Sequence, residues 1–286
     1  MNLSLSVADR PARCLSVTTL AAVLACTLVN LPLRAEQTDA ASPDQTYSLK
    51  RVYKAGDVDF YRIKVDQTVN GAVTNNQDYV VKMDITMKET TKSVGSEGQV
   101  TAIDEYTRAD ATIGGQDMDL KAMDLMPKLT VSKDKEGKIS VTADGGKEPL
   151  VQQISTMAKA MMQSQSASLP TKPVKVGDSW TAEIAGTTAE DDTSTKLTIK
   201  LDGIEVIDGV KALRLKTITD SVGGPQADTK IHGEGTMYVD AVNGKTLRMT
   251  SKASGTAKGS KITSEVVFEK TKAEIDKPAK KGTGPK

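Results

Sequence analysis

The sequence is poor in the residues that most often carry chemistry. It has two cysteines, Cys14 and Cys26, and both lie before residue 36. A chain starting after Ala35 would hold none, so a packed core rather than disulfides must hold it together. It has one histidine, His232. A zinc site needs three or four converging N, S or O ligands, and no His/Cys cluster exists to supply them. Ser-His-Asp chemistry cannot be argued from one His without a nucleophile motif. No glycine-rich phosphate loop precedes a helix; Gly114-Gly115 and Gly223-Gly224 read as loop glycines. Charge of one sign is missing too: 38 Lys+Arg face 37 Asp+Glu, a formal net charge of +1. That balance argues against nucleic acid as the main partner. These absences point to a protein with no catalytic residues, no metal and no cofactor.

No membrane-length hydrophobic run is present either. A spanning helix needs about 20 apolar residues. The stretch from Leu15 to Leu31 is shorter and is interrupted by Thr18, Thr19, Thr27 and Asn30. With Arg10 and Arg13 before it and Leu33-Arg34-Ala35 after it, residues 1–35 read as an export leader cleaved after Ala35. A rival reading is Val23-Leu24-Ala25-Cys26, which is similar to a lipoprotein signal ending in a lipidated Cys26. Leu24 stands there where a small residue is usual, and the residues after Cys26 stay apolar. Export to the periplasm or the exterior is the expected localisation, with anchoring at Cys26 as the alternative.

What the chain does have is period-2 alternation. Tyr61, Ile63 and Val65 alternate with Arg62, Lys64 and Asp66. Tyr79, Val81, Met83, Ile85 and Met87 alternate with polar residues in the same way. These are half-buried antiparallel strands with one dry and one wet face. Leu129 and Val131 face Ile139 and Val141 across a turn at Gly137, a hairpin signature. The second half repeats the scheme at Trp180–Ile184, Leu197–Leu201 and Leu213–Leu215. Met237–Val239 and Leu247–Met249 flank Asn243-Gly244, and Ile262, Val266 and Phe268 complete the set. His232, alone on one of these strands, reads as a wet-face residue.

Two turns look alike. Val174-Lys175-Val176-Gly177-Asp178-Ser179-Trp180 and Tyr53-Lys54-Ala55-Gly56-Asp57 each set Lys-x-Gly-Asp before an alternating strand. A β-rich unit used twice is the expectation. Asp57 and Asp178 could in principle act as acid and base, but each follows Gly and reads as a turn residue. Glu190-Asp191-Asp192 reads as a solvated loop: calcium takes six to eight oxygens, usually with a turn glycine inside the loop, and Gly186 lies before the run.

One segment breaks the β period. From Pro149 to Ser166, Leu150, Ile154, Met157, Met161 and Met162 fall at helical spacing, and Pro149 suits a first helical turn. Met is pliable and suits surfaces that accept varied apolar shapes. The helix either plugs the sheet as core or lids an apolar groove. Gly233 and Gly235 suggest another backbone crossing close by, and the helix is the candidate. Met157, Met161 and Met162 are the candidate ligand-binding residues, with Trp180, the only Trp, as a possible stacking anchor.

Leu169-Pro170 followed by Pro173–Trp180, together with Gly233-Glu234-Gly235 through Asp240 and Asn243-Gly244-Lys245, resembles a family of secreted bacterial β-rich proteins with no established activity. More distantly, an antiparallel sheet with a helix over its concave face resembles the half-barrels of lipoprotein carriers, a likeness of fold alone.

The expected architecture is mainly β: two related antiparallel curved sheets or half-barrels with a central amphipathic helix. The expected layout is a signal peptide at 1–35, a flexible lead-in at 36–45, β-rich repeats at 46–146 and 170–270, a linking helix at 147–169 and a disordered basic tail at 271–286. The expected function is a non-enzymatic exported envelope protein binding an apolar small molecule or a lipid-linked envelope protein. The alternative is a structural or interaction module with no small ligand.

Overall fold

The computed structural model describes residues 45–71, 74, 76–120, 126–135, 138–144, 169–170, 172–185, 194–223, 229–257 and 259–272. The expected leader, the Pro149–Ser166 helix, Gly137, Glu190-Asp191-Asp192 and the tail from residue 273 lie outside them.

The described chain is mainly β. Its strands are β1 (Val58–Asn70), β2 (Tyr79–Val94), β3 (Val100–Ile113), β4 (Gln116–Asp119), β5 (Leu129–Lys133), β6 (Ile139–Ala143), β7 (Ser179–Ala185), β8 (Ser194–Ile207), β9 (Val210–Val222), β10 (Lys230–Asp240), β11 (Thr246–Ala257) and β12 (Ser260–Thr271). They form one 12-stranded sheet in the order β6-β5-β3-β2-β1-β12-β11-β10-β9-β8-β7, with β4 pairing β3 alongside.

This corrects the expectation of two sheets. Strand β1 pairs antiparallel with β12 from Phe60↔Thr271 to Asn70↔Lys261, and that seam fuses the two halves. The first and last strands meet inside the sheet. Its open edges, β6 and β7, come from the middle of the sequence.

The two similar turns are built alike. The Asp57 and Asp178 amides donate to Lys54 and Lys175 carbonyls at 3.0 Å. Gly56 N–H donates to the Thr91 carbonyl at 2.9 Å, and Gly177 N–H to the Leu201 carbonyl at 2.8 Å. Thr91 and Leu201 N–H then return bonds to the Asp57 and Asp178 carbonyls. Each turn thus clips the start of one strand to its neighbour. Gly177 adopts φ +100°, in the left-handed region that glycine enters without a Cβ penalty.

Alternation gives the sheet one apolar face. Ala109, Ile85, Ile63, Phe268, Met249, Met237, Leu215 and Leu201 are successive cross-strand neighbours from β3 to β8. Tyr61 and Phe268 rings pack 4.9 Å apart at a 31° tilt, within the favourable range for aromatic pairs. Farther along this face, the side chains of Gln67, Thr217, Thr219, Ser251 and Ser264 are buried without hydrogen-bond partners among the described residues. The opposite face carries cross-strand ion pairs, among them a two-bond Arg62–Asp84 contact at 2.8 and 2.6 Å and Lys252–Glu265 at 3.2 Å. Exposed pairs of this kind contribute roughly 0–1 kcal/mol each.

The Asn243-Gly244 hairpin is present but wider than a two-residue turn. Strand β10 ends at Asp240 and β11 starts at Thr246. Asp240 Oδ1 accepts the Val242 amide at 2.8 Å, and Oδ2 accepts the Asn243 side-chain amide at 2.6 Å. Gly244 has a second reason to be glycine: a Cβ there would stand 2.6 Å from the Lys50 carbonyl oxygen.

Candidate binding site

That close approach belongs to a strap formed by residues 47–53. The strap starts beside the segment leading into β7, where Tyr47 and Val174 exchange backbone bonds of 2.7 and 2.9 Å. It passes the β10–β11 loop, where Val52 N–H donates to the Asn243 carbonyl at 2.7 Å. It ends at β2, where Arg51 Nη2 meets Glu89 Oε1 at 2.6 Å. Tyr47 and Leu49 are buried in the same core cluster as Tyr61, Met237 and Phe268. Two apolar side chains, two backbone anchors and one ion pair therefore hold the strap against the apolar face of the sheet.

Between strap and sheet is a cavity of about 410 Å³. This lies within the roughly 300–1,000 Å³ typical of small-molecule sites. Tyr61, Met87, Met237 and Phe268 form its floor; Val100, Ala102 and Val131 form a side wall, and Leu49 and Leu169 lie across from them. Its polar lining includes Lys50, Arg51, Lys133 and Glu89.

The acidic residues here were not singled out by sequence reasoning, yet they form a row. Asp59, Glu89, Asp104 and Leu129 are successive cross-strand neighbours on β1, β2, β3 and β5. Each carboxylate stands where the alternation calls for an apolar side chain. Asp59 is answered by two cations, Lys245 Nζ at 2.7 Å and Lys270 Nζ at 2.6 Å. Burial pushes the Asp59 carboxyl up, but hydrogen bonds from Lys245 and Lys270 hold it below its ordinary value. Lys245 also reaches Asp57 at 3.0 Å, so Asp57 is an ion-pair partner as well as a turn residue. Glu89 is answered by Arg51.

Asp104 has no such answer. It is 0% exposed, and neither carboxylate oxygen has a hydrogen-bond partner among the described residues. Burial, then the Glu89 charge, push its carboxyl up to about 8 against the opposing pull of Arg51. At neutral pH it therefore carries its proton. Arg51 is shifted oppositely to an isolated buried cation: burial lowers it, but Glu89, Tyr61 and Tyr53 together hold it above its ordinary value. Its guanidinium sits 4.8 Å from the Tyr53 ring centroid, and its Nε–H is buried without a partner.

A sequence signal for this row existed. In β2 the inward series runs Met83, Ile85, Met87, Glu89; in β3 it runs Val100, Ala102, Asp104, Tyr106. An acid continuing an apolar series marks an inward charge. Arg51 carried no such signal, because it precedes the first strand.

Among the candidate ligand-binding residues, Met157, Met161 and Met162 lie outside the described residues. Trp180 is half-buried on β7, opposite Ile199, and packs against the core cluster. It is not among the described residues that line the cavity.

His232 is on the wet face, as its strand context implied. Its Nδ1 is 2.7 Å from Asp220 Oδ1 and its Nε2 3.6 Å from Glu234 Oε1. Ser254 is its cross-strand neighbour on β11, but no hydrogen bond joins the two among the described residues. The imidazole bridges two carboxylates, and the Asp220 hydrogen bond raises its pKa. Among the described residues no group of three or more His, Cys, Asp or Glu could hold a metal ion, and no helix is long and apolar enough to cross a membrane.

No protein-family model and no curated protein matches the chain. Two solved structures are similar in part. DynF, from the dynemicin biosynthesis pathway of Micromonospora chersina, is 9% identical over 85% of this chain and 94% of its own, with a TM-score of 0.20. A Bacteroides fragilis protein with a YmcC-like fold is 10% identical over 80% of this chain and 100% of its own, with a TM-score of 0.25. Likenesses this low carry no argument about function.

Proposed function

We propose that this chain is a non-enzymatic exported protein that binds an apolar small molecule between the 47–53 strap and the apolar face of the sheet. The observation that carries this reading is the cavity of about 410 Å³ floored by Tyr61, Met87, Met237 and Phe268. A concave pocket of this size over a mostly apolar floor is the usual setting of a small-molecule site. Met87 and Met237 suit that use, since thioether side chains adapt to varied apolar shapes. The sequence candidates Met157, Met161 and Met162 lie outside the described residues, and with Trp180 they stay in the proposal as candidate ligand contacts. Export rests on the leader-like residues 1–35, with lipidation at Cys26 as the alternative.

The test is titration of the protein with an apolar fluorescent probe such as 1-anilinonaphthalene-8-sulfonate or N-phenylnaphthylamine. Ala102→Trp fills the side wall and should weaken binding at least tenfold with the fold retained by circular dichroism. No binding of either probe at micromolar concentration would leave the chain a structural or interaction module.

A further inference from the structure

The cavity's two kinds of lining point to a particular ligand chemistry. Among the described residues that line it, the basic groups are Lys50, Arg51 and Lys133, and the one carboxylate is Glu89. Glu89 is engaged by Arg51 at 2.6 Å. Neither the Lys50 nor the Lys133 ammonium has an ion-pair partner among the described residues. The Arg51 Nε–H is buried with no hydrogen-bond partner among the described residues. A buried donor without an acceptor is costly, and a ligand acceptor would recover that cost. Donors and positive charge thus gather around a hollow whose floor is Tyr61, Met87, Met237 and Phe268.

From this lining we infer that the ligand is an amphiphile with a single apolar chain and an anionic head group, the head against Arg51, Lys133 and Lys50 and the chain over Met87 and Phe268. The inference rests on the proposed binding reading. The volume, at the low end of the range for ligand sites, suits one chain rather than two. A guanidinium and two ammonium groups suit a carboxylate or a phosphate equally. Asp104, next to Glu89 and protonated at neutral pH, adds no negative charge to oppose such a head.

The experiment uses the full exported chain and a displacement assay with N-phenylnaphthylamine. Competitors share a dodecyl chain and differ in head: dodecanoate, dodecyl phosphate, dodecanol and dodecylamine. The expected result is that the two anions displace the probe at least tenfold more tightly than the alcohol, and the amine least. Lys50→Gln with Lys133→Gln, both at the cavity rim and outside the core, should cut the anions' advantage about fivefold and leave the alcohol unchanged. Arg51→Gln is not the primary variant, because it strands Glu89. If the anion advantage survives unaltered in the double variant, the assignment of the head-group site is wrong. If all four competitors displace the probe alike, or the amine does so best, the anionic inference is overturned while apolar binding stands. If the probe itself does not bind, both readings fall. The ratio of dodecanoate to dodecyl phosphate affinity then tells a carboxylate source from a phosphate one.

Discussion

Asp104 and Glu89 face each other directly across β3 and β2, two inward carboxyl groups of which only Glu89 has a cation, Arg51, at 2.6 Å. Burial first, and then the Glu89 charge, explain why Asp104 holds its proton. With Asp104 neutral, the Arg51–Glu89 pair is balanced and the cavity wall carries no excess negative charge.

This arrangement sets a pH dependence. In the unfolded chain Asp104 ionises near 4, whereas in the fold it ionises at about 8. Between these values the native state binds a proton the unfolded state has lost, so stability falls as pH rises and levels off above 8. The titratable groups around Asp104 are Glu89, Arg51, Tyr53, Tyr61 and Tyr106; the three tyrosines are pushed up, first by burial, and stay protonated throughout. Urea melts from pH 4 to 9 should show wild type losing about 2–4 kcal/mol, less than the full ~1.4 kcal/mol per unit because a buried site relaxes. Asp104→Asn should be flatter over this range and the more stable protein at pH 8. Parallel curves for the two proteins would mean that Asp104 is not the group.

Lys245→Met should cost about 3–5 kcal/mol in urea melts. Its ammonium is 7% exposed and answers both Asp59 and Asp57, and removing one partner of a buried pair leaves a stranded charge. Lys82→Met, whose pair with Asp66 is 59% and 54% exposed, should cost under about 1 kcal/mol. Equal costs would show the Lys245 cluster to be open to water.

Gly177→Val should cost about 1–3 kcal/mol through backbone strain at φ +100°, although a Cβ there meets no atom within 4 Å. Gly244→Ala acts differently. Its Cβ would stand 2.6 Å from the Lys50 carbonyl oxygen, so the strap must lift. We expect faster hydrogen exchange at Val52, whose amide bonds Asn243, and weaker probe binding. Unchanged exchange at Val52 would show that the strap accommodates the methyl group.

The β alternation made most strands legible, because Tyr61–Val65, Tyr79–Met87 and Leu197–Leu201 each put large apolar groups on one face. Strand β3 was not legible. Of its inward positions Val100, Ala102, Asp104, Tyr106, Ala109 and Ala111, four are too small or too polar to register as a dry face. It is also bulged, so its register against β2 shifts between Thr86 and Met87. The single sheet was hidden for another reason: the β1–β12 seam joins residues that local patterns cannot relate. The site was hidden the same way, since the strap brings Arg51 to Glu89 and Gly244 to Lys50 only in the fold. The Lys-x-Gly-Asp turns were legible because each is local, closed by its own Asp amide.

The seam gives a test of organisation. Residues 170–272 produced alone would expose the whole β12 edge that β1 covers, and unpaired edges of that length associate. We expect this fragment to self-associate by size-exclusion chromatography and to become monodisperse on adding residues 46–146. A stable monomer of the fragment would show the halves to be independent units.

The central claim is that the cavity under the strap holds a ligand, and native mass spectrometry of the protein purified from its own cells tests it most directly. The account predicts one anionic single-chain amphiphile per chain, retained by the wild type and absent from Ala102→Trp. Wild type released at its bare polypeptide mass, with the dodecyl competitors also failing to add to it, would contradict the account.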